Sequence, residues 1–154
     1  MISIGINGLG RIGKCVLLQL INLTVNNKFS IKCINATNIT IDNIEEYLKY
    51  DSTHNYNTDF KIEIMSKTEI KINNHIIQLF SDRDASNLKW NEYGCKYLFD
   101  CTGAYLTIDK CKLHNAEYII MSAPPKDSCP TFIYGVNHEQ YNGENIISIL
   151  KSVL

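Results

Sequence analysis

The stretch Ile2-Ser3-Ile4-Gly5-Ile6-Asn7-Gly8-Leu9-Gly10-Arg11-Ile12-Gly13-Lys14-Cys15 constrains the fold more than any other part of the chain. Ile2, Ile4 and Ile6 alternate as in a buried strand, the Gly8-x-Gly10-x-x-Gly13 spacing follows at once, and residues 12–21 continue as an apolar helix. A strand, a glycine turn and a helix in that order open a βαβ unit. In such a turn Gly8 takes the sharp backbone, Gly10 lets the main chain approach a pyrophosphate, and Gly13 lets the helix pack close to the strand. The free N–H groups and positive dipole end of the helix then face the phosphates. Glycine triplets also occur in turns that bind nothing, but the flanking strand and helix favour a dinucleotide site.

The rest of the chain extends that unit. Polar Asn26-Asn27-Lys28 ends the helix, and residues 29–35 read as a second, parallel strand. Residues 41–49 carry Ile44, Tyr47 and Leu48 at helical spacing, and residues 50–54 follow as a loop. Alternating runs at Phe60-Ile62-Ile64, Ile70-Ile72 and Ile76-Ile77-Leu79 predict an antiparallel insertion of two or three strands. Residues 85–90 predict a helical turn that delivers Trp90 to the core. A strand at 96–101, a helix from Thr107 whose later turns hold Lys110, Lys112 and His114, and strands at 117–121, 132–136 and 145–148 complete the series. The fold class expected is α/β: a Rossmann-type, doubly wound, mainly parallel sheet with helices on both faces and a small antiparallel insertion.

Composition narrows the function. At 154 residues the chain fits one domain that buries roughly 70% of its unfolded surface. The net charge is −1, from 15 Lys+Arg against 16 Asp+Glu. With no dense basic block, capture of nucleic acid or of an acidic membrane surface is not expected, and a small molecule is the better partner. No apolar run reaches membrane-spanning length and no signal-like segment opens the chain, so a cytoplasmic location is expected. The six cysteines form no C-x-x-C pair or zinc-type cluster and read mostly as small buried hydrophobes. No metal site is expected.

Ile6-Asn7-Gly8-Leu9-Gly10-Arg11-Ile12-Gly13-Lys14 resembles the opening of the glyceraldehyde-3-phosphate dehydrogenases. Similar segments recur in the same order: Ile34-Asn35-Ala36, Lys49-Tyr50-Asp51-Ser52-Thr53-His54, Asp82-Arg83-Asp84, Trp90, Asp100-Cys101-Thr102-Gly103, Met121-Ser122-Ala123-Pro124 and Tyr134-Gly135-Val136-Asn137-His138. The resemblance covers residues 1–148, the expected NAD(P)-binding domain, and leaves 149–154 as a divergent tail. It implies a nicotinamide dinucleotide cofactor held by Asn7, Gly8, Gly10, Arg11, Ile12, Gly13, Asn35, Ala36, Thr37, Arg83, Thr102, Gly103, Ser122 and Ala123. It places residues 50–54 near the adenine side and a subunit contact, Arg83 at the adenine pocket, and Ser122-Ala123 near the nicotinamide ribose.

Ala36 stands where NAD-preferring members carry Asp. A carboxylate there binds the ribose 2′-hydroxyl but repels a 2′-phosphate; Ala36 removes both effects. Asn35, Thr37 and Asn38 are candidate donors to that phosphate and Arg83 its candidate cation. NADP(H) is therefore expected, with NAD(H) the alternative. The rival readings are drift in a chain that binds neither and, for Arg83, a surface ion pair with a neighbouring aspartate.

The same resemblance implies catalysis by a cysteine in a Ser-Asn-Ala-Ser-Cys-Thr-Thr-Asn segment after Ile-Ile-Ser. Here Ile146-Ile147-Ser148 runs into Ile149-Leu150-Lys151-Ser152-Val153-Leu154. No catalytic residue can be named, neither Cys101, Cys129 nor Ser152, and activity by this chain alone is not expected. A full-length relative or second chain would supply the catalytic half. Family members also pack a C-terminal helix onto this domain, so an apolar surface is expected to stand uncovered. A standalone NADP(H)-binding or interaction module is the alternative. Within the enzyme reading, an erythrose-4-phosphate dehydrogenase fragment competes through Asp100-Cys101-Thr102-Gly103, while Ser122-Ala123-Pro124 favours the glyceraldehyde enzyme.

Overall fold

The computed structural model describes residues 1–23, 28–50 and 60–150. Asn26, Asn27, the segment 51–54 with His54, and residues 151–154 of the tail lie outside the described residues. Strand β1 (Ile2–Asn7) leads through the glycine turn into helix α1 (Arg11–Leu23), and β2 (Phe29–Asn35) completes the βαβ unit with parallel pairing from Ile2 against Phe29 to Asn7 against Asn35. Helix α2 (Ile44–Lys49) begins three residues later than its hydrophobic pattern suggests, because residues 41–43 form a turn in which Asn43 Oδ1 accepts the Thr40 amide at 2.8 Å.

Strands β3 (Ile62–Ile64), β4 (Glu69–Ile72) and β5 (His75–Phe80) form the expected antiparallel excursion. The third of them does more than scaffold an insertion: β5 also pairs parallel with β2, Cys33 opposite Gln78 through Asn35 opposite Phe80, and so belongs to the main sheet. On the other side of β1 lie β6 (Tyr97–Asp100) and β7 (Tyr118–Met121), separated by α3 (Ile108–Cys111), and then β8 (Thr131–Ile133) and β9 (Ile146–Leu150). Among the described residues, nine strands run in the order β3-β4-β5-β2-β1-β6-β7-β9-β8. From β5 onward every neighbouring pair is parallel, and the connections reverse direction at β1. This is the Rossmann-type arrangement, with its switch point at the glycine turn.

Three expectations are corrected locally. The helix after Thr107 has only four residues, with Thr107 capping the Lys110 amide, so Lys112 lies at its end and His114 beyond it. Strand β8 stops at Ile133 instead of reaching Val136. The Asn137 side chain folds back to the Ile133 amide (2.7 Å) and Thr131 carbonyl (3.0 Å), and Gly135 adopts φ +83°. Strand β9 runs two residues past Ser148, pairing Ile149 with Phe132 and Leu150 with Ile133.

Two core clusters form. One packs α1 and α2 on β1, β2, β4 and β5 through Leu17, Leu18, Ile21, Ile44 and Leu48. The other gathers Trp90, Leu98, Cys33, Cys95, Cys111, Ile119 and Met121 beneath the short turns and α3. Trp90 seats itself on β1: a Cβ at Gly5 would lie 2.7 Å from its ring. A bulge at Lys32 in β2 lets Ile31 face the first cluster and Cys33 the second. The Ile31 amide donates to Nδ1 of buried His75 at 3.2 Å.

Candidate functional site

The glycine turn has the geometry that its spacing demands. Gly8 adopts φ +91°, and a Cβ there would meet Thr102 at 2.9 Å. A Cβ on Gly13 would lie 1.8 Å from the Gly8 carbonyl oxygen, so α1 can approach the turn this closely only with glycine. A Cβ on Gly10 would touch nothing within 4 Å, which leaves its backbone open to the cleft. Helix α1 starts at this point and has no acidic residue in its first turn, so its positive end is not neutralised locally.

The turn borders a cleft of about 550 Å³ at the carboxyl ends of β1, β2, β5 and β6. Of the residues anticipated, Asn7, Gly8, Gly10, Asn35, Ala36, Thr37, Arg83 and Thr102 line it, along with Asn38. Gly103 follows Thr102 at φ +70°. Gly13 supports the turn from within. Arg11, Ile12 and Ser122 line a different depression, and Ala123 lines neither, its carbonyl accepting the Ser148 hydroxyl at 2.9 Å.

The floor of the cleft is a chain of buried hydrogen bonds. Asn35 Nδ2 donates to Asn7 Oδ1 and to the Asp82 carbonyl, both at 2.7 Å, while its Oδ1 accepts the Asp82 amide at 2.9 Å. Both amide hydrogens of Asn35 are thus engaged, and its side chain holds β2 to the segment after β5 instead of offering a donor to a ligand. Asn7 Nδ2 donates to Asp100 Oδ2 at 2.7 Å. Asp82, the acidic side chain among the lining residues, is turned to its own loop: Oδ1 accepts the Asp84 amide and Oδ2 the Asn87 amide group. Arg83 is exposed at the rim and makes no ion pair with any described residue. The surface ion pair considered from sequence does not form among the described residues.

Several contributors carried no motif. Tyr47 of α2 lines the cleft, and its hydroxyl donates to the Leu9 carbonyl in the glycine turn. Lys14, buried at 5% exposure, donates from Nζ to the Tyr47 carbonyl at 2.5 Å. It thereby meets the carboxyl end of α2, where the dipole favours a cation. Tyr105 closes the opposite wall: its hydroxyl accepts the Ala85 amide (2.9 Å) and donates to the Arg83 carbonyl (3.0 Å). Tyr47 shows in sequence only as an apolar helix position, and nothing there marks Tyr105.

On the other flank of the start of α1, Arg11, Ile12, Cys15, Val16, Phe99, Ile120, Met121, Ser122, Ile149 and Leu150 surround a groove of about 520 Å³. Its walls are largely aliphatic, and Ile12 stands 50% exposed at its edge.

The cysteines behave as hydrophobes. Cys33, Cys95, Cys111 and Cys129 are buried. Burial pushes the Cys101 thiol up to about 11, against a hydrogen bond with Ser122 and with help from the Asp100 charge. Burial likewise raises Cys129 to about 11. Neither is a thiolate at neutral pH, which fits a structural role.

Residues 2–108 match the family model described as glyceraldehyde 3-phosphate dehydrogenase, NAD binding domain. Glyceraldehyde-3-phosphate dehydrogenase of Bacteroides fragilis is 39% identical over 152 residues, covering 96% of this chain and 44% of the relative. The Danio rerio protein of that name is 38% identical over 156 residues, covering 99% and 44%. A relative from Leishmania mexicana, named as cytosolic, is 36% identical over 152 residues, covering 96% and 44%. The chain therefore spans less than half the length of these relatives. No helix among the described residues is long and apolar enough to cross a membrane.

Proposed function

Since the chain belongs to the glyceraldehyde-3-phosphate dehydrogenase family and carries its NAD-binding domain, we propose that it is the nucleotide-binding half of a phosphorylating aldehyde dehydrogenase and takes NADP(H) in preference to NAD(H). The observation that carries this reading is the composition of the cleft between β1 and β2. Ala36, Thr37, Asn38 and Arg83 all line it, and Asp82, the acidic lining side chain among the described residues, has both oxygens engaged. Such a wall offers a 2′-phosphate a cation and hydroxyl and amide donors, and the Asp82 carboxylate has its oxygens turned to its own loop.

Asn7, Gly8, Gly10, Arg11, Ile12, Gly13, Thr102 and Gly103 would hold the dinucleotide, the amino end of α1 taking the pyrophosphate. Ser122 and Ala123 would face the nicotinamide half. Asn35 acts on the ligand indirectly, by fixing Asn7 and the segment that bears Arg83. When bound, the nicotinamide supplies the hydride-accepting ring for oxidation of an aldehyde, with glyceraldehyde 3-phosphate the proposed substrate of the assembled enzyme in the cytosol.

The catalytic half would come from a full-length relative or second chain. The apolar groove beside α1 supports this, because Val16, Phe99, Ile120 and Ile149 form a surface suited to further protein. Parallel titration calorimetry with NADP⁺ and NAD⁺ tests the cofactor reading; tighter binding of NAD⁺ overturns the preference. Addition of a full-length relative tests the assembly reading. A chain that stays monodisperse alone and ignores the relative would instead be a standalone nucleotide-binding module.

A further inference from the structure

Asp100 and His114 are 2% and 3% exposed, and neither lines the cleft. Their geometry nonetheless converges on it. Trp90 Nε1, which can only donate, points to His114 Nδ1 at 3.3 Å. Nδ1 must therefore be the bare nitrogen, and Nε2 carries the proton, donating it to Asp100 Oδ2 at 3.1 Å. The same carboxylate oxygen accepts Asn7 Nδ2, and Oδ1 accepts the Thr102 hydroxyl at 2.8 Å and the Thr102 amide at 3.2 Å. One side chain thus ties the last residue of β1 to the turn after β6, two walls so close that a Cβ on Gly8 would lie 2.9 Å from Thr102. His114 also packs on Tyr105, with ring centroids 4.4 Å apart, and Tyr105 holds the Arg83 carbonyl from the other wall.

We propose that His114 is a positioning residue for the nucleotide: fixed in its Nε2–H tautomer by Trp90, it orients the Asp100 carboxylate and braces Tyr105, so that occupancy of the cleft is coupled to Trp90 in the second core cluster. This rests on the dinucleotide reading above. Among the described residues this carboxylate has four donors, which set its orientation, and His114 is the one that reaches it from outside the cleft. Its imidazole passes from the nucleotide wall to the only tryptophan of the chain. The indole is therefore a built-in reporter.

The test compares the wild-type chain with His114→Gln and His114→Met, titrated by calorimetry with ADP-ribose and 2′-phospho-ADP-ribose, which lack the nicotinamide that would itself quench indole emission. Trp90 fluorescence is followed in parallel. A glutamine amide can donate to Asp100 and accept from Trp90, so His114→Gln retains affinity within about twofold and keeps the emission change, whereas His114→Met loses about tenfold and the emission change with it. Should His114→Met fail to fold, nitrogen-15 NMR of the wild-type histidines reads the same question: the His114 resonances show the Nε2–H tautomer and move on saturation. An Nδ1–H tautomer, unmoved resonances, or equal affinities for wild type and His114→Met overturn the positioning role while leaving the dinucleotide reading intact. Failure of the wild type to bind either ligand removes both.

Discussion

Two depressions flank the first turn of α1, nearly equal in size and opposite in chemistry. The cleft on the β2 side is floored by Asn7 and Asn35, polar groups already satisfied by one another and by Asp82 and Asp100. Its ligand-facing edge is left to backbone at Gly8 and Gly10, to Thr102 and to the exposed Arg83. The groove on the β7 side is walled by Ile12, Val16, Phe99, Ile120 and Ile149. Buried polar groups already satisfied among themselves give a rigid site with few free donors, so selectivity there rests on a small number of residues. The groove is largely aliphatic, with Arg11 and Ser122 as polar lining residues, and distinguishes partners mainly by shape.

The glycines separate the two kinds of effect most strongly. Gly13→Ala places a methyl 1.8 Å from the Gly8 carbonyl oxygen and should cost roughly 3 kcal/mol or more by displacing α1 from the turn; a drop in the thermal midpoint checks it. Gly10→Ala meets no atom. It should leave the midpoint within a few degrees yet weaken dinucleotide binding by about tenfold or more, because the methyl stands where phosphate approaches. If both variants only lose stability, the cleft is inherited architecture without a ligand.

Next in size are the changes at the cofactor wall. Arg83→Ala should weaken NADP⁺ by about tenfold and NAD⁺ much less, since a charge-assisted contact to the 2′-phosphate is worth about 1.5–3 kcal/mol. Ala36→Asp should reverse the preference, and calorimetry with both cofactors reads it. In the groove, Ile149→Lys alters a side chain that is 41% exposed. It should change stability by about 0.5 kcal/mol or less and abolish association with a full-length relative in sedimentation or pull-down, and any fall in dinucleotide affinity reads how far the nicotinamide half, which Ser122 would face, extends into the groove.

The smallest expected effect lies in the first core cluster. His75 accepts the Ile31 amide at Nδ1, and its buried Nε2 has no partner among the described residues. Burial, then the nearby Lys32 charge, holds its pKa below the usual 6.5. The unfolded chain therefore takes up this proton before the folded one does. The contribution of His75 is complete above pH 6.5 and is lost as pH falls through the lowered folded value. Denaturant midpoints at pH 8 and pH 5 should differ more for wild type than for His75→Gln.

Much of the parallel sheet was legible from local pattern. The second strand was expected at 29–35, where β2 lies, because its start is marked by polar residues and its end by the Asn35-Ala36-Thr37 turn. Pattern also marked the run at Ile76-Ile77-Leu79 as a strand. It could not say that β5 has a parallel neighbour as well as an antiparallel one, since alternation carries no information about pairing partner. At 132–136 the alternation of Phe132, Tyr134 and Val136 imitates a strand; the Asn137 side chain ends it, and Tyr134 is left 84% exposed. In the cleft the glycines announced themselves, whereas Asn35 was read as a ligand donor because its partners Asn7 and Asp82 lie 28 and 47 residues away. Asp100 and Asn7, 93 residues apart, meet only once the sheet is assembled.

The strand order carries a consequence for the chain as it leaves the ribosome. β8 is made before β9, yet β9 lies between β7 and β8. Until residues 146–150 emerge, β7 has a bare edge and β8 has no strand to pair with, although both are already synthesised. β9 is thus an interior strand made after its outer neighbour, and the nascent sheet stays open on that side until residues 146–150 have emerged, a stage at which an unpaired edge invites other chains.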